Sequence, residues 1–392
     1  KGKEIHVCVL EDGLEEDVLI GSALVSMYGG CRALDEACYV FERMKERTVV
    51  TWTAMLAAYA HKGHNEKAIE TFDQMWSEGL NVDEETFASI LSACANLECI
   101  RKGRWIHECV VCDGYEAFPI VANALVTMYG ACGALEDALF VFKALRDRTI
   151  ESWNSLISVY VKQGQEERTF SLYCEMVEES VLPDTLTYLI LLGACACLQS
   201  FHNGQYFHAC IIEGGCEGEI MVGNALINVY GKCGELESAD SMFQKMSHHD
   251  VISWTAIITS YAQQGNSKIT FQLFEQMLDQ GVTPNEVTFL GILSVCSHVG
   301  LIDDACFCFM FMNQRRTTKP MTEHFVCMID LFARAGCLDE AQEIKSNWSL
   351  DSHVYANSAL HRAWKTHPEV DTRGFYSLPL LTNAYSSSSI DV

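Results

Sequence analysis

The feature that most constrains the fold of this chain is an internal sequence period of 101 residues. The strings GSALVSMYGGC, ANALVTMYGAC and GNALINVYGKC recur at this spacing, and so do three tryptophans, three tyrosines and three cysteines. These residues are Trp52, Trp153 and Trp254; Tyr28, Tyr129 and Tyr230; and Cys94, Cys195 and Cys296. A fixed period over most of 392 residues indicates an array of repeated units rather than two or three globular domains. Each block divides into units of 31, 35 and 35 residues.

One 35-residue unit, 49–83, has the pattern of a helical hairpin. Its apolar residues are spaced as on one face of each of two successive helices: Trp52, Met55, Leu56 and Tyr59, and then Ala68, Phe72 and Met75. Gly63 lies between the two patterns and is expected to end the first helix. Because a hairpin cannot bury its apolar face by itself, neighbouring hairpins have to stack. The sequence therefore predicts an all-α fold, an α-solenoid with an extended groove, and leaves its hand open.

Charge and cysteine content restrict the possible partners. With 27 Lys and Arg against 52 Asp and Glu, the net charge is −25, which excludes a generally basic nucleic-acid coat and disfavours an anionic membrane surface. The longest nearly apolar stretch, 187–198, is too short to cross a bilayer, and residues 1–6 resemble neither a signal peptide nor a transit peptide. Nineteen cysteines in a long chain suggest free thiols in a reducing compartment, and we expect no membrane partner.

No catalytic or metal-binding arrangement stands out. The nearest approach to a zinc deaminase signature is His64-x-Glu66 with Cys109-x-x-Cys112. The equivalent positions in the other blocks do not repeat either pair, no proline precedes the cysteines, and the two halves fall on different units. We therefore expect no enzyme, no metal site and no cofactor.

Candidate binding residues occupy two positions of each hairpin, the fifth residue and the last. In the 35-residue units the pairs are Thr53 with Asp83, Asn154 with Asp184, and Thr255 with Asn285. In the short units they are Ser22 with Thr48, Asn123 with Thr149, and Asn224 with Asp250. These small polar residues are ordinary helix N-caps, which is the simplest interpretation of each one alone. Taken together they also suit base recognition, because Asn offers a donor and an acceptor to a pyrimidine edge and Thr leaves room for a purine.

The pattern [ST]-W-[TN]-x-[LIM]-x-x-x-Y-x-x-x-G, as at 51–63, resembles the pentatricopeptide repeat more than the 34-residue tetratricopeptide repeat. The alternating unit lengths resemble its plant PLS subclass. On this interpretation the array spans 18–320, with short units at 18–48, 119–149 and 220–250, standard units at 49–83, 150–184 and 251–285, and long units at 84–118, 185–219 and 286–320.

The two ends of the chain fit the same resemblance. Residues 1–17 resemble the tail of another long unit, and 321–351 a terminal short repeat. Residues 352–392 resemble a degenerate E motif, with matching strings at 355–371 and 380–388, followed by a Ser-rich tail. The deaminase-like domain that many members of the family carry is missing from this sequence.

The resemblance implies a right-handed α-solenoid that binds single-stranded RNA, one base per repeat. In this family Thr with Asp selects G, Asn with Asp selects U, and Thr with Asn selects A. Asn with Thr implies only a pyrimidine, and the apolar fifth residues of the long units, Ala88, Leu189 and Leu290, cannot hydrogen-bond a base. With the RNA 5′ end at the protein N-terminus, the implied target is 5′-N-G-N-Y-U-N-U-A-3′.

The resemblance also implies a role in a mitochondrion or chloroplast, as an RNA-processing or C-to-U editing specificity factor that recruits a deaminase in trans. RNA stability, splicing or a decayed paralogue are further alternatives. A different class of function is a protein interaction scaffold that binds a peptide in its groove, as tetratricopeptide arrays do. The net charge of −25 favours this alternative.

Overall fold

The computed structural model describes residues 2–11, 13–14, 17–31, 33–314 and 318–347. Within these ranges the chain forms twenty-one α-helices and no strand, which confirms the predicted all-α solenoid class. None of these helices combines the length and the apolar character needed to cross a bilayer. The proposed E motif and Ser-rich tail at 352–392 lie outside the described residues.

After helix α1 (Gly2–Glu11), the helices form ten hairpins, each with a first and a second helix. The first helices are α2 (Val18–Gly30), α4 (Val49–His61), α6 (Glu84–Asn96), α8 (Pro119–Ala131), α10 (Ile150–Lys162), α12 (Thr185–Leu198), α14 (Ile220–Cys233), α16 (Val251–Gln263), α18 (Glu286–Val299) and α20 (Thr322–Arg334). The second helices are α3 (Leu34–Arg43), α5 (Asn65–Ser77), α7 (Ile100–Cys112), α9 (Leu135–Ala144), α11 (Glu166–Glu178), α13 (Phe201–Glu213), α15 (Leu236–Lys245), α17 (Ser267–Asp279), α19 (Ile302–Gln314) and α21 (Leu338–Asn347).

The hairpin α4–α5 shows why this sequence folds as it does. The apolar stripes on its two helices are buried, with Trp52, Met55, Ala68, Phe72 and others almost inaccessible to solvent. Gly63 follows the end of α4 with a φ of +78°, a left-handed conformation that suits glycine and redirects the chain into α5. The predicted hairpin and its turn are therefore confirmed.

The chain divides into two compact units, 1–225 and 226–392. In each unit, consecutive first helices contact one another, from α2 through α12 in the former and from α16 through α20 in the latter. Most second helices pack between the first helix of their own hairpin and the first helix of the next, for example α3 against α2 and α4. The first helices thus form the more closely packed layer.

An aromatic contact joins the second helix of each short hairpin to the first helix of the standard hairpin that follows it. A phenylalanine of the second helix packs edge-to-face on the next tryptophan, with ring centroids 4.7–4.9 Å apart. The pairs are Phe41 with Trp52, Phe142 with Trp153, and Phe243 with Trp254. The 101-residue tryptophan period therefore reflects a repeated contact between neighbouring hairpins.

Close approach of two first helices explains one of the repeated glycines. A Cβ placed on Gly130 of α8 would lie 2.2 Å from Cγ2 of Val159 on α10, so the two helices meet at a position where only hydrogen fits. Gly193, inside α12, faces open space instead, because nothing lies within 4 Å of its equivalent Cβ.

These two glycines predict opposite effects of the same substitution. We expect Gly130→Ala to destabilise the protein by about 1 to 3 kcal/mol, because the added methyl forces α8 and α10 apart. We expect the matched variant Gly193→Ala to stabilise it by about 0.5 to 1 kcal/mol, because alanine is the better helix former. Urea midpoints followed by circular dichroism test both signs, and a Gly130→Ala midpoint at or above that of the wild type would contradict the packing.

Candidate functional site

We use the name reading units for the six units whose fifth and last residues are both polar, 18–48, 49–83, 119–149, 150–184, 220–250 and 251–285. The last residue of each caps the first helix of the following hairpin. Each of these six side chains accepts a hydrogen bond from the backbone N–H of the third residue of that helix, at 2.8–3.4 Å. They are Thr48, Asp83, Thr149, Asp184, Asp250 and Asn285. The structure therefore confirms the capping interpretation of this position, and base recognition by the same side chains stays a prediction.

The fifth residues of the reading units lie in the first turn or two of their own helices and are largely buried. Ser22, Thr53, Asn154, Asn224 and Thr255 expose only 5–8% of their surface. The hydroxyl of Thr53 donates to the carbonyl oxygen of Val49 at 2.9 Å and lies 2.5 Å from the hydroxyl of Thr86. Burial of the fifth residues leaves only a few of their side-chain polar atoms exposed and restricts the directions in which these atoms can point.

In the unit 150–184 the two candidate residues contact each other directly. The side-chain amide of Asn154 donates to Oδ1 of Asp184 at 3.2 Å, and its carbonyl oxygen accepts from the hydroxyl of Thr187 at 2.7 Å. Burial by itself raises the pKa of the Asp184 carboxyl, but hydrogen bonds from Thr187 and Asn154 outweigh it, so the pKa lies below its usual value. The structure thus brings this predicted pair together as one ionised, hydrogen-bonded unit.

The other pairs are brought together to different extents. The hydroxyl of Thr255 lies 3.4 Å from Oδ1 of Asn285. The hydroxyl of Thr86 lies between Thr53 and Asp83, 2.5 Å from the hydroxyl of Thr53 and 2.6 Å from Oδ1 of Asp83, to which it donates. Asn123 differs, because its buried Oδ1 has no hydrogen-bond partner among the described residues.

Three consecutive first helices form a groove beside Asn154. Its volume is about 610 Å³, and its walls come mainly from α8, α10 and α12. Besides Asn154, the lining includes polar Ser155, Ser158 and Gln163, apolar Val159, Leu186 and Ile190, and charged Glu98, Glu151 and Lys162. The groove is therefore largely apolar with a few polar groups, and its two acidic residues and one basic residue give it no strong charge.

Few charged residues occur on the first helices. Five of them, α2, α4, α8, α12 and α16, contain no Asp, Glu, Lys or Arg. In α6, α10, α14, α18 and α20 the charged residues are Glu84, Glu85, Glu151, Lys162, Lys232, Glu286, Glu323, Asp330 and Arg334. Most of the excess negative charge of the described residues therefore lies on the second helices and connections, and this layer is neither a basic stripe nor an acidic one.

The structure also shows a row of exposed aliphatic side chains that the sequence interpretation missed. Each is the second residue of a first helix and exposes 50–80% of its surface. Within residues 1–225 the row consists of Leu19, Val50, Ile120, Leu186 and Met221 and is interrupted by Glu85 and Glu151, and within 226–392 the same helix position holds Ile252 and Val287. A recurring apolar residue that does not fit the buried stripe was the signal that could have found it.

The string His-x-Cys recurs with the 101-residue period at His6, His107 and His208, and the first two of these histidines have a structural role. Nδ1 of His6 and of His107 share hydrogen bonds of 2.9 and 2.8 Å with the hydroxyls of Tyr28 and Tyr129, which join a second helix to the next first helix. Burial lowers the pKa of His107 and raises that of Tyr129 to about 12. The described residues contain no group of three or more His, Cys, Asp or Glu that could hold a metal ion.

Comparison with known proteins gives consistent results. A sequence model of the PPR repeat family matches residues 47–96, 148–197 and 249–298. A second model, of the PPR repeat, matches residues 22–49, 224–251 and 323–345. A pentatricopeptide repeat-containing protein of Arabidopsis thaliana is 34% identical over 366 residues, covering 93% of this chain and 50% of the relative. The chloroplastic protein CRR2 of the same plant is 33% identical, covering 87% and 53%. The chain thus spans about half the length of these relatives.

A similar fold occurs in a solved structure. The crystal structure of the pentatricopeptide repeat protein PPR10 in complex with an 18-nucleotide psaJ RNA element has a TM-score of 0.72 to this chain. It covers 96% of this chain and 56% of PPR10, at 18% sequence identity. At this identity the likeness concerns the fold.

The lowered pKa of Asp184 predicts a pH-dependent contribution to stability. A carboxyl whose pKa is lower in the folded state stabilises the fold above its unfolded pKa of about 3.9, and this contribution is lost as the pH falls through the folded pKa. Asp184→Asn retains a good N-cap but cannot titrate. We therefore expect the urea midpoint of the wild type to rise relative to that of Asp184→Asn as the pH is raised from 3 to 6. A difference that stays constant over this range would contradict the assignment.

Proposed function

The chain belongs to the pentatricopeptide repeat family, and on that premise we propose that it binds single-stranded RNA along its layer of first helices. The observation that carries the proposal is the pairing of small polar side chains from the fifth and last positions beside a groove, as in Asn154 with Asp184. The RNA-bound state of PPR10, a protein of the same fold, supports it.

The exposed aliphatic row supplies the second element of a base site. An RNA base has an apolar face and a polar edge, and single-stranded RNA is recognised when proteins cover the face and hydrogen-bond the edge. Leu186 exposes 53% of its surface and lines the same groove as Asn154. We assign the aliphatic residues to base faces and the polar pairs to base edges.

The charge of the first helices indicates where the binding energy comes from. Lys162 lines the groove beside Asn154 and is suited to a phosphate contact. Because few other cations lie on this layer, we expect the affinity to depend only moderately on salt, and base contacts to contribute more than phosphates.

The proposed target is 5′-N-G-N-Y-U-N-U-A-3′. Thr53 with Asp83 reads G, Asn123 with Thr149 a pyrimidine, Asn154 with Asp184 U, Asn224 with Asp250 U, and Thr255 with Asn285 A. The two interior unspecified positions fall on the long units, whose fifth residues Ala88 and Leu189 offer no hydrogen bond. The first position is unspecified because Ser22 with Thr48 matches no known pair.

The biological role that we propose is RNA processing or C-to-U editing in a mitochondrion or chloroplast, with a deaminase supplied in trans. The PLS subclass, its unit boundaries and the E motif are part of the same proposal. It is supported by the alternating unit lengths and by relatives that are chloroplastic, such as CRR2.

A peptide-binding scaffold remains the second candidate, because the net charge of −25 favours a basic peptide over RNA. It predicts that the groove binds no RNA sequence selectively. The near-neutral first helices weaken it, since the acidic residues lie mostly elsewhere.

Selection from a random RNA library tests the proposed function. We expect sequencing of the bound RNAs to show enrichment of G, U, U and A at the spacing of the proposed target, because each pair hydrogen-bonds one base edge. Absence of any enriched motif, with peptide binding in its place, would support the scaffold alternative.

Changing one pair should change one base. In the variant Asn154→Thr with Asp184→Asn, the unit 150–184 acquires the pair found in 251–285. We expect the preferred base at this position to change from U to A, with the other positions unaltered. Binding measurements with oligonucleotides that differ at this base give the answer, and an unchanged preference for U would show that the pair does not read it.

A further inference from the structure

We infer that base selection by a polar pair is set by a third residue, the hydroxyl-bearing third residue of the next first helix, wherever this residue contacts both members of the pair. This inference rests on the proposed RNA-binding function and names a positioning residue for it. The residues are Thr51, Thr86, Ser152, Thr187, Ser253 and Thr288, and each is completely buried. We call them the hub residues.

Four hub residues contact both members of the preceding pair. The hydroxyl of Thr187 lies 2.7 Å from Oδ1 of Asn154 and 2.8 Å from Oδ1 of Asp184. Thr51, Thr86 and Thr288 make the equivalent two contacts, all between 2.5 and 3.1 Å: Thr51 with Ser22 and Thr48, Thr86 with Thr53 and Asp83, and Thr288 with Thr255 and Asn285. The same geometry therefore recurs with three different kinds of pair.

In the ten described hairpins, a hydroxyl occupies the hub position only after units that carry a polar pair. After the long units, the third residue of the next first helix is Val121, Val222 or His324 instead. Val121 and Val222 are also completely buried, so the position itself accepts an apolar side chain of the same shape. The hydroxyl thus accompanies the pair rather than the fold.

The chemistry of Asn154 shows how a hub residue selects a base. Oδ1 of Asp184 already accepts from the backbone N–H of Thr187 and from the Asn154 amide, so the single hydroxyl proton of Thr187 is available to the carbonyl oxygen of Asn154. These two contacts together orient the Asn154 amide. An amide presents an acceptor on one side and a donor on the other, so turning it over exchanges the two at the base edge. Uracil carries a donor at N3 where cytosine carries an acceptor, and the orientation of the amide therefore decides between these two bases.

Asn123 provides a comparison within the chain. The hub residue of its unit, Ser152, lies 3.3 Å from the hydroxyl of Thr149, and Oδ1 of Asn123 has no partner in the described part of the chain. Without the second contact the amide of Asn123 is not held in one orientation. We therefore expect the position read by Asn123 to discriminate U from C less sharply than the position read by Asn154.

The test replaces Thr187 by valine, which keeps the shape and removes the hydroxyl. We expect Thr187→Val to reduce the preference for U over C at the base read by Asn154 by about tenfold, the value of one hydrogen bond. The preference for G at the base read by Thr53 should not change. Thr86→Val should show the reverse, with the G position relaxed and the U position intact.

Thr187→Ser, which keeps the hydroxyl, serves as the control and should retain more of the U preference than Thr187→Val. Equal discrimination by wild type and Thr187→Val would overturn the inference, as would an equal loss in the valine and serine variants. A uniform loss of affinity at every base, accompanied by a lower melting temperature, would show that Thr187 acts only as a helix cap. If the wild type itself distinguishes no base at any position, the proposed function fails instead.

Discussion

The hydrogen bond that begins each first helix after a reading unit determines both the fold and the candidate site. The first N–H groups of a helix lack partners within it, and here the last residue of the preceding unit supplies an acceptor. Because this acceptor lies beside the fifth residue, the direction of the polar pair follows from the requirement of the backbone. Only residues that cap well can occupy the position, which explains why it holds nothing but Asp, Asn and Thr in the six reading units.

On the proposed function the last position serves both the helix cap and the base, so stability and recognition cannot vary independently there. Asp184 accepts the backbone N–H of Thr187 and the amide of Asn154 with the same oxygen, Oδ1. A change of residue there alters the start of α12 and the groove together. Variation at the fifth position is less constrained, since Thr53 and Asn154 only have to fit a buried site that offers a hydroxyl.

Periodicity predicted the hairpins well because the apolar stripe repeats within a single helix, as with Trp52, Met55 and Leu56. The N-caps were predictable for a similar reason, since a cap and its helix are adjacent in sequence. The hub residues and the aliphatic row were missed, although both recur in the sequence. The role of Thr187 depends on its contact with Asn154, which is 33 residues away in the sequence. The exposure of Leu186 becomes evident only when the first helices are packed together.

The hub contacts also change what counts as a recognition unit. In the proposed mode of recognition, the Asn154 side chain that contacts the base is held by Asp184 of the same hairpin and by Thr187 of the next one. The smallest unit that carries specificity therefore extends from the start of one first helix through the first turn of the following one. The long units interrupt this succession, because Ala88 and Leu189 are followed by Val121 and Val222 and have no polar atom to be held. On the proposed function, specificity is consequently a property of the junctions between hairpins, and a hairpin transferred without its neighbour would lose part of its specificity.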